Sequence, residues 1–204
     1  MNIKENYHKI MLDKLSDIKG QEKIPSLLLH SCCAPCSSYV LEVLSNYFRI
    51  TISYYNPNIY PKQEFSRRFN ELKKFVKSFP LKNEVEVLEL SYIPDEFYSA
   101  VRGMENEREG GERCFKCYEL RLEKAAIIAK QMSFDWFTTA LSISPHKNAQ
   151  KINEIGYKLE KKYNVKYLPA DFKKNNGFKR SIEISREYDL YRQDYCGCVF
   201  SKNN

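Results

Sequence analysis

A chain of 204 residues, 43% hydrophobic and 29% charged, is long enough to bury a core without covalent staples, so its seven cysteines are not needed as disulfides, and an odd count cannot pair off. No apolar run approaches the roughly 20 residues of a membrane span, and Met1 to Lys23 is polar and mixed in charge rather than signal-like, so a cytoplasmic protein is expected. The net charge of +7 is uneven, with 20 Lys+Arg against 19 Asp+Glu in residues 1–140 and 13 against 7 in residues 141–204.

Tyr7, Ile10, Met11 and Leu15 have helical spacing and predict an N-terminal helical extension within residues 1–24. Leu27 to His30 is a first strand, followed at once by Cys32-Cys33-Ala34-Pro35-Cys36 and then by a helix whose buried face carries Tyr39, Val40, Val43 and Leu44. Three thiols thus occupy a strand-to-helix turn, where unpaired backbone N–H groups favour anionic sulfur. Arg49 to Tyr55 alternates as a second strand and ends in the turn Asn56 to Pro61. Phe65, Phe69, Leu72, Phe75, Val76 and Phe79 recur every three or four residues, an amphipathic helix stopped by Pro80. Val85 to Leu90 is a third strand, and Pro94 starts a short helix. The acidic stretch Gly103 to Glu112 reads as an exposed loop ahead of Cys114-Phe115-Lys116-Cys117, which opens a helix reaching Met132. Trp136 to Ala140 is a fourth strand, Ser144-Pro145 is expected to cap a helix from Lys147 to Tyr163, and Val165 to Leu168 is a fifth strand. Residues 171–204 carry a helix near Ser181 to Tyr188 and return the last thiols in Cys196-Gly197-Cys198.

Strands alternating with helices predict a single α/β domain over residues 1–204, a parallel five-stranded sheet with helices on both faces. The Cys32 turn, the loop before Cys114 and the ends of strands four and five then share one edge, with residues 171–204 closing a metal site. Three chemistries suit the thiols. Zinc needs four ligands, and Cys114, Cys117, Cys196 and Cys198 could supply them. A dithiol oxidoreductase would need only Cys33 and Cys36. An iron-sulfur centre uses up to four thiolates and leaves the rest for a second metal or an open reactive position. His30, His146, Asp171 and Asp189 could complete such a site, and Tyr191 and Tyr195 lie beside the last thiols. Lys147, Lys151, Lys173, Lys174, Lys179, Arg180 and Arg192 fall in the basic last third, interleaved with aromatic residues in a manner suited to unpaired nucleotides.

Five motifs taken in order, Cys32 to Cys36, Glu112 to Tyr118, Ile143 to Asn148, Asp171 to Lys174 and Tyr191 to Cys198, resemble epoxyqueuosine reductases of the QueH type. The resemblance runs from Leu27 to Ser201. It implies a fold akin to adenine-nucleotide hydrolases and a metalloenzyme that reduces the epoxide of epoxyqueuosine at the wobble position of tRNA. It also implies a 4Fe-4S cluster with an additional metal, iron among the choices, held by Cys32, Cys33, Cys36, Cys114, Cys117, Cys196 and Cys198. His146, Asp171, Asp189, Tyr191 and Tyr195 are the expected catalytic groups, and Lys147, Lys173, Lys174, Arg180 and Arg192 the expected tRNA contacts. Electrons would come from a low-potential donor. The turn from His30 to Ser37 holds no glycine where related folds place a phosphate loop, which argues against ATP use, and no corrinoid fingerprint appears. An ATP-using tRNA thiolation enzyme and a zinc-stabilised RNA-binding module are the competing functions.

Overall fold

The computed structural model describes residues 5–202; the remaining residues of the expected 1–204 domain lie outside that span. Helix α1 (Tyr7–Lys19) leads into β1 (Ser26–His30), and α2 (Ala34–Leu44), β2 (Arg49–Tyr54), α3 (Lys62–Ser78), β3 (Val85–Glu89) and α4 (Pro94–Ala100) follow. Beyond them lie α5 (Glu112–Gln131), β4 (Trp136–Thr139), α6 (Ala149–Tyr163), β5 (Lys166–Tyr167), α7 (Gly177–Glu187) and α8 (Val199–Lys202). The five strands form one sheet in the order β3-β2-β1-β4-β5, with every neighbouring pair parallel.

β1 is central and buried on both faces. Its side chains alternate, so Leu27 and Leu29 enter one core with α1, α2, α3 and α7, while Leu28 enters the other with α5 and α6. The stripe read from the sequence on α3 is real: Phe65, Phe69, Leu72 and Phe75 are all buried, each contributing about 1.5 to 3 kcal/mol by leaving water. Gly177 opens α7 because any larger residue would collide there. A Cβ would stand 2.0 Å from the Phe172 carbonyl oxygen and 2.5 Å from the Tyr39 ring of α2.

Two expectations are corrected. Ser144-Pro145 does not cap α6; the cap is Asn148, whose side chain accepts from the Lys151 N–H at 3.0 Å. The intervening chain is taken up by a 3-10 turn at Ala140–Ile143 and an open loop, which delays the helix start. The helix expected near Ser181 to Tyr188 is α7, which begins at Gly177, four residues before Ser181.

What positions the site is the direction in which the chain leaves β1 and β4. These strands are neighbours, yet β1 runs into α2 over one face and β4 runs on to α6 over the other. A crevice opens between their carboxyl ends, the place where parallel sheets hold their ligands.

Candidate metal centre

Cys33 stands in extended backbone as the N-cap of α2, where its sulfur accepts from the Cys36 N–H at 3.4 Å. Pro35 follows inside the first turn, where a missing N–H costs nothing. The turn folds Cys32, Cys33 and Cys36 back on one another, with their sulfurs all within 4.8 Å, close enough to serve one metal ion or cluster. Cys33 is wholly buried, and the Gln193 side-chain amide, from the far end of the chain, donates to its sulfur at 3.0 Å.

The other four thiols come from two distant segments. On α5, Cys114, Cys117, Tyr118, Arg121 and Ala125 share one buried face at helical spacing. Cys198 packs beside Cys117 against Phe97 and Val101, while the Cys196 sulfur accepts from the Lys147 ammonium at 2.8 Å. Gly197 between them has φ +114, a conformation glycine adopts freely, and an added Cβ would stand 3.0 Å from Arg68 Nη1. The segment is tied to the rest of the edge by backbone. The Tyr60 N–H donates to the Gly197 carbonyl at 2.8 Å, and Arg68 Nη1 donates to the Cys196 carbonyl at 3.4 Å.

Three cations surround these thiols. Arg68 is fully buried and paired with Glu64 at 2.6 Å. Arg121 is also buried; its Nε donates to the Cys117 carbonyl at 3.2 Å, and its Nη2 has no partner. Lys147 is the third. Sequence reasoning missed both arginines and Gln193. Two carried a signal: Arg68 sits on the apolar stripe three residues after Phe65, and Arg121 lies one turn after Cys117 on the same face. Gln193 lay inside a motif already singled out.

Between the β1 and β4 ends lies a cavity of about 550 Å³ whose wall includes Cys32, Cys36 and Cys196. His146, Lys147, Arg192, Gln193 and Tyr195 also line it. Not every sequence-predicted residue is there. Tyr191 and Asp189 line a separate groove beside Arg67 and Glu71, where the Tyr191 hydroxyl meets the Glu64 carboxylate at 3.3 Å and Arg67 lies 3.4 Å over its ring. Asp171 is paired with Lys173 at 2.6 Å, and both line a neighbouring groove with Lys174. This second groove shares Gly110, Pro145, His146 and Lys147 with the first. Arg180 is held by Glu42 at 2.7 Å and Glu187 at 2.9 Å. His30 is closed off too, since Nε2 donates to the Tyr55 carbonyl at 3.2 Å and Nδ1 accepts from Thr139 at 2.9 Å. Burial, seconded by Arg121, lowers its pKa to about 3 and keeps it neutral.

The electrostatics fit a bound metal. Burial raises Cys33 and Cys114 above the ordinary thiol range and pushes Cys117 up to about 11. Neutral thiols leave Arg121 without an anion in the protein interior, an arrangement that costs several kcal/mol for an uncompensated ion. Metal ligation turns thiols into thiolates and supplies the missing negative charge. Cys32 already tends that way, held low by hydrogen bonding with Cys33 and Cys36 and by the Arg121 charge. At minimum, Cys32, Cys33 and Cys36 form a group able to bind a metal.

Known proteins resemble this chain over nearly its whole length. The family model described as epoxyqueuosine reductase QueH matches residues 27–204. Proteins named epoxyqueuosine reductase QueH from Streptococcus pyogenes serotype M1, Staphylococcus epidermidis and Staphylococcus aureus are 49%, 47% and 45% identical to this chain. Each alignment spans 98% of this chain, and they cover 79%, 86% and 85% of the three relatives. With the family model and these relatives extending over the cysteine turn, α5 and the Cys196 segment alike, the chain belongs to the epoxyqueuosine reductase QueH family.

Proposed function

We propose that this protein reduces the epoxide of epoxyqueuosine in tRNA to the alkene of queuosine. The observation that carries the reading is the cavity at the β1–β4 crevice, walled by Cys32, Cys36 and Cys196, with the Lys147 ammonium on the Cys196 sulfur. The reaction adds two electrons and two protons, breaks both C–O bonds of the epoxide and releases the oxygen as water. Seven thiols suffice for a 4Fe-4S cluster and an additional iron, held among Cys32, Cys33, Cys36, Cys114, Cys117, Cys196 and Cys198. When bound, these metals would relay electrons from a low-potential donor and offer a Lewis-acid position for the epoxide oxygen.

The chain's own residues bring the substrate there and handle the protons. The modified base must leave its stack to reach the thiols in the cavity wall, and the second groove, which shares its rim with the cavity, suits the adjoining backbone. Lys173 and Lys174 stand in that groove to meet phosphates. His146 is on the shared rim and exposed, which places an imidazole where a proton can pass from solvent to the departing oxygen. Tyr195 is less free for that task because its hydroxyl already donates to the Tyr60 carbonyl at 2.7 Å. It serves better as a wall. Asp171 acts by holding Lys173, while Asp189 and Tyr191 steady the segment leading to Cys196.

The test is an anaerobic assay of iron-loaded protein with epoxyqueuosine-containing tRNA and a strong reductant, read by nucleoside mass spectrometry. Conversion to queuosine is the expected result. An iron-replete protein that leaves the epoxide intact, or an active protein holding zinc and no iron, would overturn the reading.

A further inference from the structure

Arg121 and Lys147 are cations for which the fold supplies no carboxylate. Among the described residues, neither takes part in an ion pair with Asp or Glu, whereas Arg68 beside them is matched by Glu64 at 2.6 Å. The groups that face them are sulfur and phenol. Arg121 has Cys32, Cys117, Cys196 and Tyr118 around it; Lys147 has the Cys196 sulfur at 2.8 Å and lies 5.9 Å from the centre of the Tyr118 ring. A phenol is neutral near pH 7. The negative charge that balances these two groups therefore has to come from sulfur.

Position makes this more than charge balance. Arg121 is tied to α5 by its bond to the Cys117 carbonyl at 3.2 Å, and its charge is felt by Cys32 of the β1 turn as well as by Cys117 and Cys196. Its Nη2 is buried and has no hydrogen-bond partner in the protein. Lys147, just ahead of α6, lines the cavity itself. A fixed positive charge beside a thiolate-ligated centre favours the state carrying more negative charge, which is the reduced state, because net charge and hydrogen bonds to sulfur set the potential of such centres.

We propose that Arg121 and Lys147 are positioning residues that set the reduction potential of the metal centre: their charges hold electrons on it. The inference rests on the proposed iron-sulfur chemistry but concerns the resting protein, so its test needs no tRNA. Lys147→Gln keeps a donor near Cys196 and removes the charge, while Lys147→Arg keeps the charge and alters the shape. Both are compared with the unaltered protein by iron and sulfide content and by anaerobic redox titration followed by EPR. The Gln variant should retain iron and shift its midpoint negative by at least about 59 mV, a tenfold change in a one-electron equilibrium, and the Arg variant should return most of that shift. Loss of iron in the Gln variant with retention in the Arg variant would overturn it, because the charge would then hold the metal rather than set its potential. Equal midpoints in all three proteins, or equal loss of iron from both variants, would overturn it. Failure to convert epoxyqueuosine with the midpoint shift intact would sink the proposed function and leave this inference standing. A protein that carries zinc would overturn both, because zinc takes up no electron.

Discussion

Cys32, Cys33 and Cys36 reach one another across five residues of one turn, whereas Cys196 and Cys198 meet the α5 thiols only because a distant segment is laid along the sheet edge and fastened there. The first group is made by local geometry, an extended N-cap followed by a helix. The second depends on Arg68, Gly197 and a backbone bond to Tyr60. The comparison teaches that thiols brought to one sheet edge need not be equally secure. The three in the turn come with the core of the fold, and the four others come with the docking of the last segment.

The largest effect expected from breaking this arrangement is chemical. Alanine at Cys33, Cys114, Cys117 or Cys196 should strip iron and abolish turnover, read by metal analysis and the tRNA assay, whereas loss of a mere packing thiol would cost about 1 kcal/mol and spare the chemistry. A variant that keeps full iron and activity removes that cysteine from the centre. Next comes the clamp on the second group. Glu64→Gln leaves Arg68 buried without its counter-charge and should cost about 3 to 5 kcal/mol in urea unfolding. Glu123→Gln breaks the pair with Lys162, whose side chain is 61% exposed, and should cost below about 1 kcal/mol. Equal costs would show that Arg68 is not the clamp.

Gly197→Ala is the sharper probe of the same segment. Forcing a side chain to φ +114 against Arg68 and Ile59 should cost about 1 to 3 kcal/mol and lower iron content, while Gly103→Ala, also at positive φ but with open space around it, should leave iron untouched. Iron loss in both, or in neither, would dissolve the distinction. The smallest effect on the protein itself is expected from reversing Lys173 and Lys174 to Glu. Iron and stability should hold, while tRNA affinity falls and its dependence on salt becomes shallower. Wild-type affinity with an unchanged salt slope would move the RNA to another face.

The sheet was legible because its signals are local: strands alternate or run apolar, and the α3 stripe repeats every turn. The turn thiols were legible for the same reason. The counter-charges were not, since Arg121 and Lys147 gain meaning only when β1, α5 and the loop before α6 converge. Arg180 shows how partners across the chain stay hidden in sequence. Read as a phosphate contact, it also has glutamates from α2 and α7 as partners, 138 and 7 residues away in the chain. Asp189 and Tyr191 are near Cys196 in sequence but point along the outer groove, because the chain turns at Asp189, where φ is +48.

The Gln193 amide resting on a wholly buried Cys33 sulfur has a kinetic consequence. A chelator can reach the cavity side of an ion bound there, but the ion cannot leave the Cys33 sulfur until the segment carrying Gln193 lifts away, so removal has to wait for a local opening of the native protein. At high chelator concentration the rate should therefore level off at the opening rate. Gly197→Ala, by loosening the same segment, should raise that plateau.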